Sequence, residues 1–375
     1  MRGLLAGRRR LVVAAPVALL VVLVGLALYL LTPRSKGVDG DWSAKAADGR
    51  VVANRALVIG DHTALDLRSG KTVTLGSVTG GTPFVADDRL LIASGGRMDS
   101  ARLDATARWT WLSPAETTAT PLAAAQGSTV VLVCPATGAC QLVGLNAQGR
   151  QDWQSDGAAR RATTAGTTAG TAGANAPHDG SLPRVDAMAV PGGGVVVTDP
   201  VSGRSTLQPG RSFLAIPDGP LVTELVQDGH CVVSVFATAD TLWTRVLDTC
   251  PSTQPTLAAD DRSVTLTWPT GVERLDLATG KILPARRAGD TAQEGGEVVA
   301  RAAGLTAVES RKTLHTNPLR WGAQVTVIEL RDSTTGDVRA QVVSDQPLSV
   351  LRLDKASVVV RDGGELIRYT LDDRG

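Results

Sequence analysis

A chain of 375 residues with 43% hydrophobic but only 3% aromatic content must fill its core with β-branched residues and Leu. Its net charge of +1, with no face-sized run of basic residues, argues against a nucleic-acid-binding surface, which needs a cationic stripe to neutralise phosphates. The length suits one large all-β unit or two average domains, and six Lys against thirty-two Arg marks a GC-rich coding sequence without carrying any chemistry.

The first element is a membrane span. Residues 1–10 form a basic tail with Arg2, Arg8, Arg9 and Arg10, and Leu11 to Thr32 then runs without a charge. As a helix those 22 residues reach ~33 Å, the thickness of the hydrocarbon core. Their eight Leu and six Val contribute roughly −4 to −8 kcal/mol to insertion at mid-bilayer values. The cationic flank holds the N-terminus in the cytoplasm and places the rest of the chain outside. A cleaved signal peptide is the competing reading, but its apolar region would be shorter, and only Ser35-Lys36-Gly37 offers a weak cleavage site. No Cys follows the span, so a lipid-anchored lipoprotein is excluded.

Residues 33–39 are expected to be a short polar tether. From residue 40 to 375 the apolar residues come in runs of four to eight, such as DRLLIASG, STVVLVC, SVTLTW and ASVVVRD, bounded by Gly, Asp, Asn or Pro. That is the strand signal, repeated without an amphipathic helix. The segment 157–180, rich in Ala, Thr and Gly with no apolar periodicity, is expected to be a disordered insertion.

The cysteines fit an oxidising compartment. Cys134 and Cys140 flank a Pro-Ala-Thr-Gly turn, and folding that hairpin about Thr137 sets them opposite each other. Cys231 and Cys250 flank a longer hairpin in which simple mirroring pairs Cys231 with a residue near Val246. A bridge to Cys250 therefore requires the chain after Leu247 to curl back. Zinc is the rival use of these residues, but neither spacing has the paired short knuckles it prefers.

One phrase recurs along the chain. LDLRSGKTVTL (65–75), LNAQGRQDW (145–153) and LDLATGKILP (275–284) share a strand ending in Leu, an Asp or Asn, and a Gly three or four residues later. LRDSTTGDVRAQV (330–342) and TDPVSGRSTL (198–207) are looser copies, and RLDATARWTW (102–111) keeps the strand and Trp without the glycine. Physically this is a hairpin: Asp66, Asn146 or Asp276 caps the turn, and Gly70, Gly149, Gly280 or Gly336 takes positive φ. The copies lie about 40 residues apart, the length of a four-stranded propeller blade. The last residues, LDDRG, stop at the turn glycine Gly375, while Gly40-Asp41-Trp42 resembles what should follow one. The segment around Trp42 is therefore expected to complete the last blade and close the ring. Counted so, there are eight blades, with seven as the nearest rival.

These copies resemble the repeat of PQQ-like (quinoprotein dehydrogenase-like) β-propellers, A-x-D-x-x-T-G-K-x-x-W, most closely at ALDLRSGKTV from Ala64 and at RLDLATGKIL. The resemblance implies an all-β propeller. It also implies that Trp153, and with it Trp111, packs between neighbouring blades. Enzymes of that family hold PQQ over Ca²⁺, stacked between a Trp and a disulfide of adjacent cysteines, with an Asp base. No adjacent Cys pair exists here, and no Glu/Asn/Asp set aligns with the calcium ligands.

Other catalytic readings fail on the residues. Ser69-Gly70-Lys71-Thr72 mimics a P-loop end, but position 65 is Leu where Gly is required, and a strand follows where a helix is needed. His62, His178, His230 and His315 are isolated from one another. Asp87-Asp88, Asp260-Asp261 and Asp372-Asp373 fall in turns, where carboxylates cap N–H groups. No catalytic, cofactor-binding or metal-ligating residue is assigned. The expected protein is a non-catalytic binding or scaffold module anchored in the cell membrane. Its bulk lies outside as a monomeric propeller, and its partner is an envelope protein or a cell-wall component. The propeller lipoprotein of the outer-membrane assembly machinery is a relative of that kind. A degenerate PQQ-dependent dehydrogenase is the alternative. A ligand-sensing domain working through a membrane partner is the third reading, since ten cytoplasmic residues carry no output domain.

Overall fold

The computed structural model describes residues 35–45, 49–60, 63–75, 80–156, 180–190, 194–216, 219–237, 240–248, 250–259, 262–284, 296–302, 304–313, 324–333 and 335–371. The expected tail, the membrane span, residues 157–179 of the insertion and Gly375 lie outside these, as do His62, His178 and His315. Among the described residues no helix is long and apolar enough to cross a membrane, and every named element is a strand.

The chain falls into two compact units, one of residues 44–292 and one of residues up to 43 together with 293–375. The smaller unit begins with β1 (Val38–Lys45), whose partners come from the far end of the chain. The larger unit then lays down six antiparallel sheets in order. The first is β2 (Arg50–Val52), β3 (Ala56–Ile59), β4 (Thr63–Asp66) and β5 (Thr72–Thr74). The second is β6 (Thr82–Ala86), β7 (Arg89–Ser94), β8 (Arg97–Arg102) and β9 (Arg108–Leu112). The third is β10 (Thr117–Ala125), β11 (Ser128–Pro135), β12 (Gln141–Leu145) and β13 (Gln151–Asp156). The fourth has three strands, β14 (Asp186–Ala189), β15 (Val195–Thr198) and β16 (Ser205–Gln208). The fifth is β17 (Ser212–Ala215), β18 (Leu221–Gln227), β19 (His230–Phe236) and β20 (Thr241–Leu247). The sixth is β21 (Thr256–Ala259), β22 (Ser263–Trp268) and β23 (Gly271–Asp276).

The smaller unit holds two further sheets. The seventh is β24 (Glu297–Ala302), β25 (Leu305–Thr313), β26 (Gln324–Asp332) and β27 (Val338–Ser344). The eighth is β28 (Leu348–Leu353), β29 (Ser357–Asp362) and β30 (Glu365–Leu371), with β1 as its fourth strand beside β30.

Burial explains why these segments are strands. Middle strands such as STVVLV in β11 and SVVV in β29 are buried on both faces, which continuous apolar runs require. Outer strands alternate, as RWTWL in β9 does, because one face meets water. Short turns set the register: Gln126-Gly127 and Asp228-Gly229 place two consecutive residues at positive φ, matching the twist of the strands they join. Most core clusters are seams between consecutive sheets, while one, with Ala123, Val130, Leu132 and Leu142, lies within the third sheet. Val73 and Leu75 meet Leu90 and Ile92 between sheets one and two, and in the smaller unit Ile328 and Val342 meet Val358 and Val360. First strands of neighbouring sheets lie side by side, β2 by β6, β6 by β10, β10 by β14, β14 by β17 and β17 by β21, and in the smaller unit β24 by β28. Within each unit the sheets are therefore stacked as the blades of a β-propeller are.

Two segments depart from the expected boundaries. Gly180, the last residue of the predicted insertion, is buried with its carbonyl accepting from the Val85 N–H. Leu182 N–H then donates to Val85, and Pro183 accepts from Ala124. This stretch covers the free edges of β6 and β10, where unpaired backbone groups would otherwise remain. The predicted tether is also engaged, since Ser35 to Gly37 contact β27 before β1 begins.

Candidate functional site

The repeat turns are built alike. Asp66 accepts from Arg68 N–H at 3.1 Å and Ser69 Oγ at 2.7 Å, while Gly70 N–H donates to its carbonyl. Asn146 accepts from the N–H groups of Gln148 and Arg150, both at 3.0 Å. Asp199 accepts from Val201 N–H and Ser202 Oγ, Asp276 from Ala278 N–H, Thr279 N–H and Thr279 Oγ1, and Asp332 from Thr335 N–H. The glycine four or three residues on returns its N–H to the first residue's carbonyl in all five, with φ between 68° and 80° at Gly70, Gly149, Gly203, Gly280 and Gly336. Side chain and backbone thus satisfy each other locally, which is why this spacing recurs. The SGKT stretch is one of these turns, with Lys71 N–H on Ser69 Oγ at 3.3 Å.

Three of those glycines also receive indoles. A Cβ at Gly149 would fall 2.5 Å from Trp109, at Gly203 2.4 Å from Trp153, and at Gly280 2.8 Å from Trp243. In each case the Trp stands on the last strand of one sheet and the glycine in the turn of the next. Trp153 Nε1 donates to the Pro200 carbonyl at 3.0 Å and Trp243 Nε1 to Leu277 at 2.9 Å, so two rings are hydrogen-bonded as well as packed. Gly144 makes room for Trp153 on its own sheet, where a Cβ would lie 2.1 Å from the ring.

Trp109 takes the place that counting from Asp104 gives to Trp111. The second sheet's turn opens at Arg102, whose N–H donates to Ala107, two residues before the Asp that the repeat aligns. Each docking Trp lies opposite the residue two before its turn: Trp109 faces Ser100, Trp153 Gly144 and Trp243 Val235. Trp111 packs into the seam between sheets two and three without resting on a turn glycine.

The rule fails at the first seam, and among the described residues the fourth and seventh sheets also lack the ring, with Thr206 facing Val197 and Ala340 facing Leu330. In the first sheet the residue opposite Ala64, two before Asp66, is Val73, and the second sheet's turn has Ala105 at positive φ where others have Gly. Next to this indole-free seam lies a cleft of about 320 Å³ lined by Leu75, Ala101 and Trp109 on its apolar side and by Asp99, Ser100, Arg108 and Thr110 on its polar side. Its polar wall is braced from within. Asp99 accepts from Arg97 Nε at 2.8 Å and Nη2 at 3.0 Å and from Thr110 Oγ1, and Arg89 Nη1 donates to Ser100 Oγ at 3.4 Å. Burial pulls the Arg89 guanidinium below its ordinary pKa.

Both disulfides are formed, Cys134–Cys140 and Cys231–Cys250. Cys231 lies opposite Leu247, and the chain curls back after β20 to reach Cys250, as the hairpin count required. Beside this bridge sits a group the sequence reading missed. Glu224, fully buried on β18, takes Arg211 Nη2 at 2.8 Å and Ser212 Oγ at 2.9 Å. Arg211 also donates to the carbonyls of Pro251, Ser252 and Thr253, fastening the link between the fifth and sixth sheets. A lone Glu inside the apolar run LVTELV was the available signal, because a buried carboxylate needs a partner. Glu224, Cys231 and Cys250 are the one group of potential metal ligands that converge among the described residues, but the joined sulfurs offer no thiolate.

The remaining predicted residues are scattered. Trp42 is half-buried on β1, near Asp41, which pairs with Arg368. His230 is exposed at the start of β19, and Asp87 turns the β6–β7 hairpin at φ 51°.

No family model matches the chain, and no curated protein matches it in sequence. Among solved structures it is similar to the WD40 domain of SCAP from fission yeast, at 11% identity and TM-score 0.39, over 91% of this chain and 94% of that one. It is similar too to a eukaryotic initiation factor (10%, TM-score 0.40, 83% and 93%) and to the WD40 domain of Neurospora crassa Pan2 (10%, TM-score 0.31, 91% and 90%). At these scores the likenesses carry no argument, and the fold rests on the sheets themselves.

Proposed function

We propose that the chain is a membrane-anchored, extracytoplasmic binding module. Leu11 to Thr32 spans the bilayer with the basic tail inside, and the sheets are the eight blades of a PQQ-like propeller that acts without catalysis. The observation that carries this reading is where the polar residues are spent. Asp66, Asn146, Asp199, Asp276 and Asp332 hold their own turns, Asp99 holds Arg97 and Thr110, and Glu224 holds Arg211 and Ser212. Two disulfides support an oxidising compartment. The cleft beside Leu75 and Trp109, apolar on one wall and charged on the other, supports binding of a partner's side chain.

The residues present do not fit PQQ. The disulfides join cysteines six and nineteen residues apart, whereas the stacking partner of that cofactor is a bond between neighbours. Titrating the detergent-purified full chain with PQQ and Ca²⁺ tests this directly. No saturable binding is expected, and dye reduction with alcohols or sugars would overturn the scaffold reading. A photo-crosslinking residue in place of Arg108, used in intact cells, should capture one envelope protein or cell-wall component. Leu75→Trp, which fills the cleft, should abolish that crosslink.

A further inference from the structure

We propose that the start of β1 and the outer edge of β27 lie against the headgroup layer of the membrane, so that the anchor holds the smaller unit in a fixed orientation. This rests on the reading of Leu11 to Thr32 as a span. The structure shows how soon after that span the chain is fastened. Ser35 Oγ accepts from Val343 N–H at 3.2 Å. Lys36 and Gln341 exchange both backbone hydrogen bonds, at 2.9 and 2.8 Å. Gly37 has φ +66°, and a Cβ there would meet the Arg339 carbonyl at 2.7 Å. From Val38 the chain is already β1, held to β30 by Thr370 Oγ1 donating to the Asp39 carbonyl at 3.2 Å and by Arg368 pairing with Asp41. Residues 35–41, most of them in the predicted tether, are thus clamped to two different sheets.

Only Pro33 and Arg34 separate Thr32 from Ser35. Three Cα–Cα steps span at most about 11 Å, and the headgroup layer on each side of the hydrocarbon is roughly 5–7 Å thick. Ser35 therefore cannot leave the immediate surface of the bilayer, and the β27 edge it is bonded to comes with it. A flexible linker of about twenty residues would leave the unit free to tumble; two residues, one of them Pro, do not. The edge suits that position. Lys36 and Arg339 are exposed cations beside the exposed apolar Val338, the combination that settles at headgroup depth. Arg339 keeps one carboxylate partner, Asp332 at 3.0 Å, and the rest of its guanidinium is open to lipid phosphate.

All four native cysteines are bridged, so an introduced cysteine is the one free thiol. An environment-sensitive fluorophore would be placed on Arg339→Cys, on Lys36→Cys, and on Glu365→Cys at the hairpin five residues along β30 from Thr370, roughly 17 Å away. The full chain is reconstituted into phosphatidylcholine–phosphatidylglycerol vesicles carrying a headgroup nitroxide. Quenching at positions 339 and 36 is expected to exceed that at 365 several-fold. Equal quenching at all three in vesicles that carry the protein on flotation overturns the membrane-facing edge and leaves the anchor intact. Failure to float overturns both. Inserting about twenty Gly/Ser residues after Thr32 should lower quenching at 339 to the level at 365 while flotation persists. Undiminished quenching would show that the short link is not what sets the orientation.

Discussion

The seam between the third and fourth sheets and the seam between the first and second are made from the same hairpin, yet they are fastened differently. At the former, Trp153 lies on Gly203 and donates to Pro200; at the latter, Val73 takes the ring's place, the next turn lacks glycine, and a cleft remains. The Trp153 indole closes its seam with one large ring and one hydrogen bond. A valine closes only its own methyl contacts, and the adjoining surface stays open as a cleft. The repeat thus sets where sheets can be locked, and its erosion leaves a cleft at the first seam.

Removing the strongest fastening should show the largest effect. Trp243 on Gly280 joins the fifth sheet to the sixth, and the connection between them is fastened by Arg211, which pairs with Glu224 and donates to the Pro251, Ser252 and Thr253 carbonyls, and by the Cys231–Cys250 bridge that closes a nineteen-residue separation. Replacing both of these cysteines by Ser should cost about 3 kcal/mol, against about 2 kcal/mol for Cys134 and Cys140, whose loop is shorter. Urea midpoints of the two double variants check the order, and a larger loss at 134/140 would break it. Next comes the docking glycine. Gly203→Ala combines positive φ with a Cβ inside the indole and should cost roughly 2–3 kcal/mol. Gly60→Ala, at φ +58° with open space around it, should cost only about 1 kcal/mol. Equal losses would mean that backbone strain, and not the ring, sets these glycines apart.

Much of this is legible in the sequence. The turn residues Asp66, Asn146 and Asp276 and their glycines could be found because an Asx turn is a local structure, decided within five residues. The Cys134–Cys140 pair was legible for the same reason. What could not be read is non-local. Trp109 is distinguished from Trp111 only by a turn that opens two residues early, and both tryptophans sit on the same face of β9. Arg211 and Glu224 meet across two strands thirteen residues apart, and only the lone Glu hints at it. Gly180 to Pro183 lack strand periodicity because they satisfy the edges of other sheets and build none of their own.

The cleft offers the next test, and a smaller one. Leu75→Trp supplies a ring where the first seam has none, so the urea midpoint should hold or rise, by up to about 1 kcal/mol. A loss of 2 kcal/mol or more would show that the cleft cannot admit a ring of that size.

The smallest effect concerns the turn itself, because Asn146 and Asp276 do one job with different chemistry. The Thr279 hydroxyl, donating to Asp276 at 2.7 Å together with the N–H groups of Thr279 and Ala278, holds that carboxyl below its ordinary range. A carboxyl with a lowered folded pKa stabilises above its unfolded value, about 3.9, and that contribution disappears as pH falls through the folded value. Asn146 accepts its two N–H groups at any pH. Asp276→Asn keeps an acceptor in the turn and removes the titration, so wild type should lead by no more than a few tenths of a kcal/mol at neutral pH, given solvent screening of so exposed a group. The lead should vanish as the pH falls below the lowered folded value. Paired urea titrations at neutral pH and at low pH read this difference. A gap that stays constant with pH would show that the charge on Asp276 adds nothing to what an amide already provides, and that the two kinds of turn are interchangeable.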